Sequence, residues 1–402
     1  MSPDAIAFGR RQILVLSQDL PKPDIASGER RLFLTLQLLA KEHDVFFWSP
    51  GRSGTENCSA EQYAEDLRAI NVTVLPHHAG QFSKISASQI FDVVLCEFWH
   101  CAEWAFRQMR CWQPWAHVVV DSVDVHFLRE EAGLRQGIGD SATVNANKLR
   151  EIAVYRQADA VIVVTEEDKI SLTNLGGISH LTILPNIILP RPRAEMERPK
   201  ELLFVGGFGH APNADGIGWF VSEILPLVKA AIHSVSLTIV GSNAPQTVRA
   251  MADLPGVNFV GYVPNTAPYL DCAAVSVAPL RFGAGMKGKV TEAMSAGIPV
   301  VTTTIGAQGL NVESGKQLFV ADDPKIFAAH ITHLLQHPAE SHAMGLCGQK
   351  HIETICGDKA AIRCLEELLA PVKKVAPFTA PLRLLCGRIT NAILRQVKGR
   401  KS

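Results

Sequence analysis

The chain has 402 residues, 47% hydrophobic and 19% charged, which is more than one compact core usually holds and excludes a mainly disordered chain. No run approaches the roughly 18 apolar residues of a membrane span, and the N-terminus lacks a signal peptide's apolar segment, so a cytoplasmic protein, at most peripheral at the inner face of the membrane, is expected. Lys+Arg and Asp+Glu are 39 each, but residues 371–402 hold eight basic side chains and no acid, leaving 31 basic against 39 acidic residues in 1–370; an acidic body argues against nucleic-acid binding.

Arg11–Leu16 is short, apolar and branched, and predicts a buried strand. A helix is expected over Glu29–Glu42, opened by Ser27-Gly28. Strands follow at Asp44–Trp48, Val72–Leu75, Phe91–Cys96 and His117–Val120. A helix at Asn147–Gln157, a strand at Ala160–Val164, a helix at Glu166–Leu175 and a strand at Leu181–Leu184 complete the first half. Pro185–Pro199 contains four prolines and no periodicity, and predicts a linker. The alternation then restarts: strand Glu201–Val205, helix Ala214–Val228, strands Ser236–Val240, Val257–Val260 and Ala274–Ala278, helix Gly288–Ala296, strands Pro299–Thr303 and Leu318–Val320, and helices at Pro324–Gln336 and from about Ser341 to Leu369. Strands alternating with helices mean parallel βαβ units and doubly wound sheets. The expected organisation is a Rossmann-like unit at 1–190, a second at 191–370 and a basic tail at 371–402, with ligands beyond the carboxyl ends of the strands. The nine cysteines include no CxxC pair, so free thiols are expected rather than a zinc site or disulfide framework.

The second half contains LLFVGGFGHAPNADGIGWFVSEILPLV, LTIVGSNAP and FVGYVPNTAPYLDCAAVSVAPLRFGAGMKGKVTEAMSAGIPVVTTTIGAQGL, and the first half LSQDLPKPDIASGERRLFLTLQLLAKEHDV and VVVDSVDVHFLREE. These segments resemble the retaining GT-B glycosyltransferases of family 4, the glycosyl transferases group 1. The resemblance implies an α/β GT-B fold with two Rossmann-like domains facing across a cleft. It further implies metal-independent transfer of a sugar from a nucleotide-diphosphate donor, bound mainly by the second domain, to a glycan or lipid-linked acceptor on the first. No separate cofactor and no metal are expected.

Sugar–diphosphate cleavage leaves negative charge on the phosphate, which fixed donors must meet where no metal does so. The run Arg281 to Lys289 follows a strand and precedes a helix. Gly285 and Gly288 permit close backbone approach, the helix start offers free N–H groups, and Arg281, Lys287 and Lys289 supply full charges. By resemblance, Lys287 also assists transfer. Glu292 matches the family's ribose-binding glutamate, although a carboxylate early in a helix is also dipole-stabilising. The family's earlier glutamate is replaced by Ala284. Gly206-Gly207 still admits a ligand against the backbone, but the family's arginine is absent at Gly207. Asn213 is expected to cap a helix starting at Ala214. Tyr262-Val263 resembles the loop cradling the nucleotide base; Tyr262 could equally be a surface aromatic.

In the first half, Gly28 lies at a helix start facing the cleft. His126, with Asp124 second, is the candidate for the group that relatives present near the reacting sugar. Glu97 and His100 occupy another strand end and are candidates for the acceptor side. Two other readings share these residues: a degenerate GT-B protein that binds nucleotide sugar or a partner without catalysis, and a sugar-nucleotide epimerase.

In Pro381–Lys398, Leu382, Leu385, Ile389, Ile393 and Val397 form one helical stripe, flanked by Arg383, Arg388, Arg395 and Lys398. The segment packs back on the first domain, stays solvated, or lies on an anionic membrane surface, where each basic residue contributes roughly 1 kcal/mol. If it meets a membrane, the full chain floats with anionic vesicles at low salt and a chain ending at Ala370 does not. Equal flotation of the two chains, or flotation of neither, rules the membrane role out.

Overall fold

The computed structural model describes residues 10–56, 58–77, 89–135, 139–188, 200–283 and 285–370, without the side chains of 107–112. The basic tail, Ala284 and most of the expected linker lie outside the described residues. No helix among them is long and apolar enough to cross a membrane.

Two parallel sheets carry the fold. The first contains β1 (Gln12–Leu16), β2 (Asp44–Trp48), β3 (Val72–Val74), β4 (Val93–Glu97), β5 (His117–Asp121), β6 (Ala160–Val163) and β7 (Leu181–Ile183), in the order β3-β2-β1-β4-β5-β6-β7. The second contains β8 (Glu201–Val205), β9 (Ser236–Val240), β10 (Val257–Gly261), β11 (Val275–Ala278), β12 (Val300–Thr302) and β13 (Phe319–Val320), in the order β10-β9-β8-β11-β12-β13. Each central strand is covered on both faces: Leu14 and Leu16 enter one apolar cluster, Ile13 and Val15 another. Likewise Leu202 and Phe204 face away from Leu203. Such two-sided burial makes the central strands continuous apolar runs rather than alternating ones. The strand order reverses between β1 and β4, and again between β8 and β11, so each sheet opens a crevice at that point.

Four details depart from the sequence expectation. The helix expected at Ala214–Val228 starts at Ala211, passes through a π-turn at Phe220–Ile224 and resumes over Leu225–Ala231. Pro226 explains the π-turn, because it has no N–H to donate and its ring crowds the preceding turn. The final helix is two, Pro338–Cys356 and Asp358–Leu369, broken at the extended Gly357. The second of these packs on the first sheet: Ala361, Leu365, Leu368 and Leu369 join the cluster of Ile13 and Val15. Its apolar stripe is buried there, so the chain crosses back. Short helices at Ala60–Ala69 and Ala267–Cys272 also formed where no helix was expected.

One buried ion pair ties the first unit together. Arg31, in the helix Ser27–Glu42, donates to the Asp121 carboxylate at 2.6 Å, with side chains only 1% and 2% exposed. It also donates to the Leu184 carbonyl at 2.8 Å and the Pro185 carbonyl at 3.3 Å. Removing one partner of such a pair strands the other charge in the core. Arg31→Met should therefore lower stability by about 3–5 kcal/mol, and adding Asp121→Asn should recover part of that loss. Urea unfolding of the single and double variants checks this; a single variant within about 1 kcal/mol of the parent would contradict it.

Candidate active site

The loops at the two crevices face each other. A Cβ on Gly288 would lie 2.7 Å from the Ser27 Cβ, so the starts of the helices Gly288–Ser295 and Ser27–Glu42 abut. Only glycine allows that approach. Gly28 packs as closely, with a virtual Cβ 3.1 Å from the Val123 Cγ1. Two helix N-termini with unsatisfied N–H groups thus point toward one space.

Lys287 is 8% exposed. Its ammonium donates to the Gly285 carbonyl and, at 3.3 Å, to the Gln308 side chain. Burial lowers its pKa to about 8, against the opposing pull of Asp168 and Glu167 on the first unit. Lys289 donates to the Asn213 Oδ1 at 2.6 Å. Burial, then the neighbouring Lys287, lowers its pKa to about 7. Asn213 does not cap a helix at Ala214. It lies inside the first turn, buried, and its Nδ2 donates to the Gly207 carbonyl at 2.6 Å, with Gly206 packed on its amide. Asn213 therefore links the Gly206-Gly207 turn to Lys289. His210 completes the cluster: burial, then Lys289, Lys287 and Arg129, hold its imidazole below the usual histidine range. Arg281 is engaged differently. Its guanidinium forms a two-point ion pair with Asp215 and lies 5.9 Å from the Trp219 ring.

Glu292 accepts from the Thr266 hydroxyl at 2.6 Å and lies 3.8 Å from Arg30 of the first unit. The Tyr262 hydroxyl reaches Asp24 at 3.3 Å, and Asp24 also accepts from Tyr63 at 2.8 Å. Val263 packs against the core on one face of the second sheet. Of the side chains expected at the nucleotide, Glu292 and Tyr262 thus each meet a residue of the first unit, while Val263 packs on the second.

On the first unit, the loop after β5 is strained. Val123, a β-branched residue, has φ 58° and Phe98, directly after β4, has φ 65°; each such conformation costs of order 1–3 kcal/mol. Asp121 holds both: its backbone carbonyl accepts from Phe98 N at 2.8 Å and its Oδ1 from Val123 N at 3.1 Å. The loop presents Asp124 and His126. Trp99 Nε1 donates to His126 Nδ1 at 3.2 Å, so the ring proton sits on Nε2, which contacts Asp124 Oδ1 at 3.1 Å. Arg129 takes the other Asp124 oxygen. Burial raises the Asp124 carboxyl, but the His126 hydrogen bond and the Arg129 charge outweigh it and leave it below the ordinary range. The His100 ring lies 5.6 Å from that of His126 and stacks on Phe98 at 5.4 Å. Burial, then the neighbouring His126 and Arg129, lowers its pKa to about 4.

Glu97, the last residue of β4, is buried and accepts from the Ser17 hydroxyl at the point where the first sheet's order reverses. Burial raises its pKa to about 8. Arg30, Arg129, Ser17, Gln308 and Thr266 were not among the sequence candidates. Ser17 was accessible to the strand-end rule, since it directly follows β1; the others are brought in by packing alone. Because Glu97 is neutral when folded and ionises near its ordinary value of about 4.3 when unfolded, the folded state holds the extra proton between those values. Stability then falls as pH rises from about 4 to about 8 and levels off above. Glu97→Gln should remove this dependence, so the variant should melt increasingly above the parent from pH 5 to pH 8. Parallel melting curves across that range would contradict the assignment.

Residues 199–337 match the family model of the glycosyl transferases group 1. Over 138 residues the chain is 28% identical to an uncharacterised 44.6 kDa protein of the cps region of Klebsiella pneumoniae, an alignment covering 32% of this chain and 36% of that protein. It is 26% identical over 373 residues to glycogen synthase of Mycobacterium tuberculosis, covering 82% and 87% of the two chains. Among solved structures, Anabaena HepE in complex with UDP superimposes with a TM-score of 0.69 at 13% identity, covering 89% and 99% of the chains. Residues 199–337 are thus a glycosyl transferases group 1 domain, set in a GT-B fold.

Proposed function

We propose that the chain is a retaining, metal-independent glycosyltransferase of the family 4 type, moving a sugar from a nucleotide-diphosphate donor to a glycan or lipid-linked acceptor. The observation that carries this reading is the meeting of the helix starts at Ser27 and Gly288 beside Lys287 and Lys289. Desolvated cations and aligned N–H groups are suited to a diphosphate and to the charge that grows on it as the sugar leaves. Glycogen synthase as a relative and UDP in the HepE complex support a nucleotide sugar. Glu292 would receive the ribose hydroxyls, with Thr266 fixing one carboxylate oxygen, and Tyr262-Val263 would border the base. Both would first exchange their contacts with Arg30 and Asp24 for the ligand.

For transfer, the anomeric C–O bond to phosphate breaks and the acceptor oxygen bonds to the same face. The acceptor proton passes to the departing phosphate oxygen. Two features favour the phosphate as base. Both ring nitrogens of His126 are engaged, and His100, with a pKa of about 4, is a weak base at neutral pH. Asp124 and His126 then orient the reacting sugar.

Lys287→Ala should lower donor turnover by about 10²-fold or more, with transfer by the parent unaffected by EDTA. Donor binding should also take up protons. The lysines lose theirs near pH 7 and pH 8 in the empty protein, and a bound anion holds them charged. Affinity is then highest below about pH 7 and falls as pH rises through 8. Calorimetry in buffers of differing ionisation enthalpy reads this uptake directly. Full activity of Lys287→Ala, or EDTA inactivation reversed by magnesium or manganese, would sink the proposal.

A further inference from the structure

The helix His126–Leu134 begins at the end of the strained Asp121–Val125 loop, and its N-cap residue, Val125, has no side chain able to cap it. The cap comes from elsewhere. Glu151, fully buried in the helix Ser141–Gln157, accepts from His126 N at 3.0 Å through one oxygen and from Phe127 N at 2.9 Å through the other. The Tyr155 hydroxyl, one turn further on, donates to the same carboxylate at 2.7 Å. No salt bridge to Glu151 is seen among the described residues; three hydrogen-bond donors and the positive end of a helix meet its charge. Burial pushes its carboxyl up, while Tyr155 and the two backbone donors hold it down.

The ring contacts of His126 come from other elements, Trp99 behind Nδ1 and Asp124 at Nε2. The ring reaches both only if its backbone stays at one place and angle. The near end of the loop is set by Asp121, which binds Val123 and Arg31. Its far end is set by the two backbone bonds to Glu151. From this we infer that Glu151, steadied by Tyr155, is a positioning residue for transfer. It fixes the backbone of His126 and so the orientation of the His126–Asp124 pair toward the reacting sugar. The inference rests on the reading of that loop as part of the transfer site.

Glu151→Gln tests it. The amide keeps one acceptor oxygen but turns a donor toward the second backbone N–H. The expected result is a fall in kcat of about tenfold with donor KM changed less than about twofold. In protein labelled with 15N-histidine, the His126 signals, identified by their loss in His126→Asn, should leave the pattern of one protonated and one bare ring nitrogen. Tyr155→Phe, which removes one hydrogen bond and no charge, should give an intermediate effect on both readouts. Asp140→Ala serves as the stability control: it removes the ordinary cap of the same helix, where Asp140 accepts from Thr143 N at 2.8 Å, without touching His126. It should lower the melting temperature and leave kcat and the His126 signals alone. The proposal is overturned if Glu151→Gln leaves the His126 signals in place, or if its loss of kcat is matched by Asp140→Ala at equal loss of stability. Should the parent turn over no nucleotide sugar, the transfer reading fails, while the 15N signals still decide whether Glu151 positions His126.

Discussion

The buried Arg31–Asp121 pair is the constraint on which the rest of the cleft depends. Arginine is suited to this place because its fixed fork of donors can bind a carboxylate and two carbonyls at once. It joins the helix Ser27–Glu42 to the end of β5 and to the point where the chain leaves the first sheet. The position of Gly28 against Val123, and of Ser27 against Gly288, follows from it. Asp121 carries the other half of the arrangement, since Phe98 and Val123, both in the left-handed region, bond to it. Strain of this kind persists only where the surroundings over-determine it, and here a salt-bridged aspartate does so at the carboxyl ends of two adjacent strands.

The second unit contributes charge rather than strain. Lys287, Lys289 and His210 are poorly solvated, which is the main reason all three pKa values are lowered; Lys287 adds to the effect on Lys289, and both lysines add to that on His210. Their polar partners include Gly285 and Gln308 for Lys287 and Asn213 for Lys289. The contacts that span the cleft are weaker. Arg30 is half-exposed and 3.8 Å from Glu292, and an exposed pair of that length contributes at most about 1 kcal/mol.

Much of this was legible in the residues. Branched apolar runs marked nearly every strand, because strands buried on both faces tolerate little else. The turn from Arg281 to Lys289 declared itself by glycines and cations between a strand and a helix, a strand-end rule led to Glu97, and the family resemblance led to His126. What sequence determined by itself was the two-sheet α/β order and the chemical character of the turn from Arg281 to Lys289, since both are local patterns of few residues. Partnership was decided only by tertiary structure. Asn213 reads locally as a cap but bridges Gly207 and Lys289; Arg281 is taken up by Asp215; the helix Asp358–Leu369 returns to the first sheet. Glu151 caps a helix that begins 25 residues earlier. Each of these depends on which surfaces meet when separate elements are buried together, and contacts between distant parts of the chain leave no periodicity or spacing in the sequence from which they could be read.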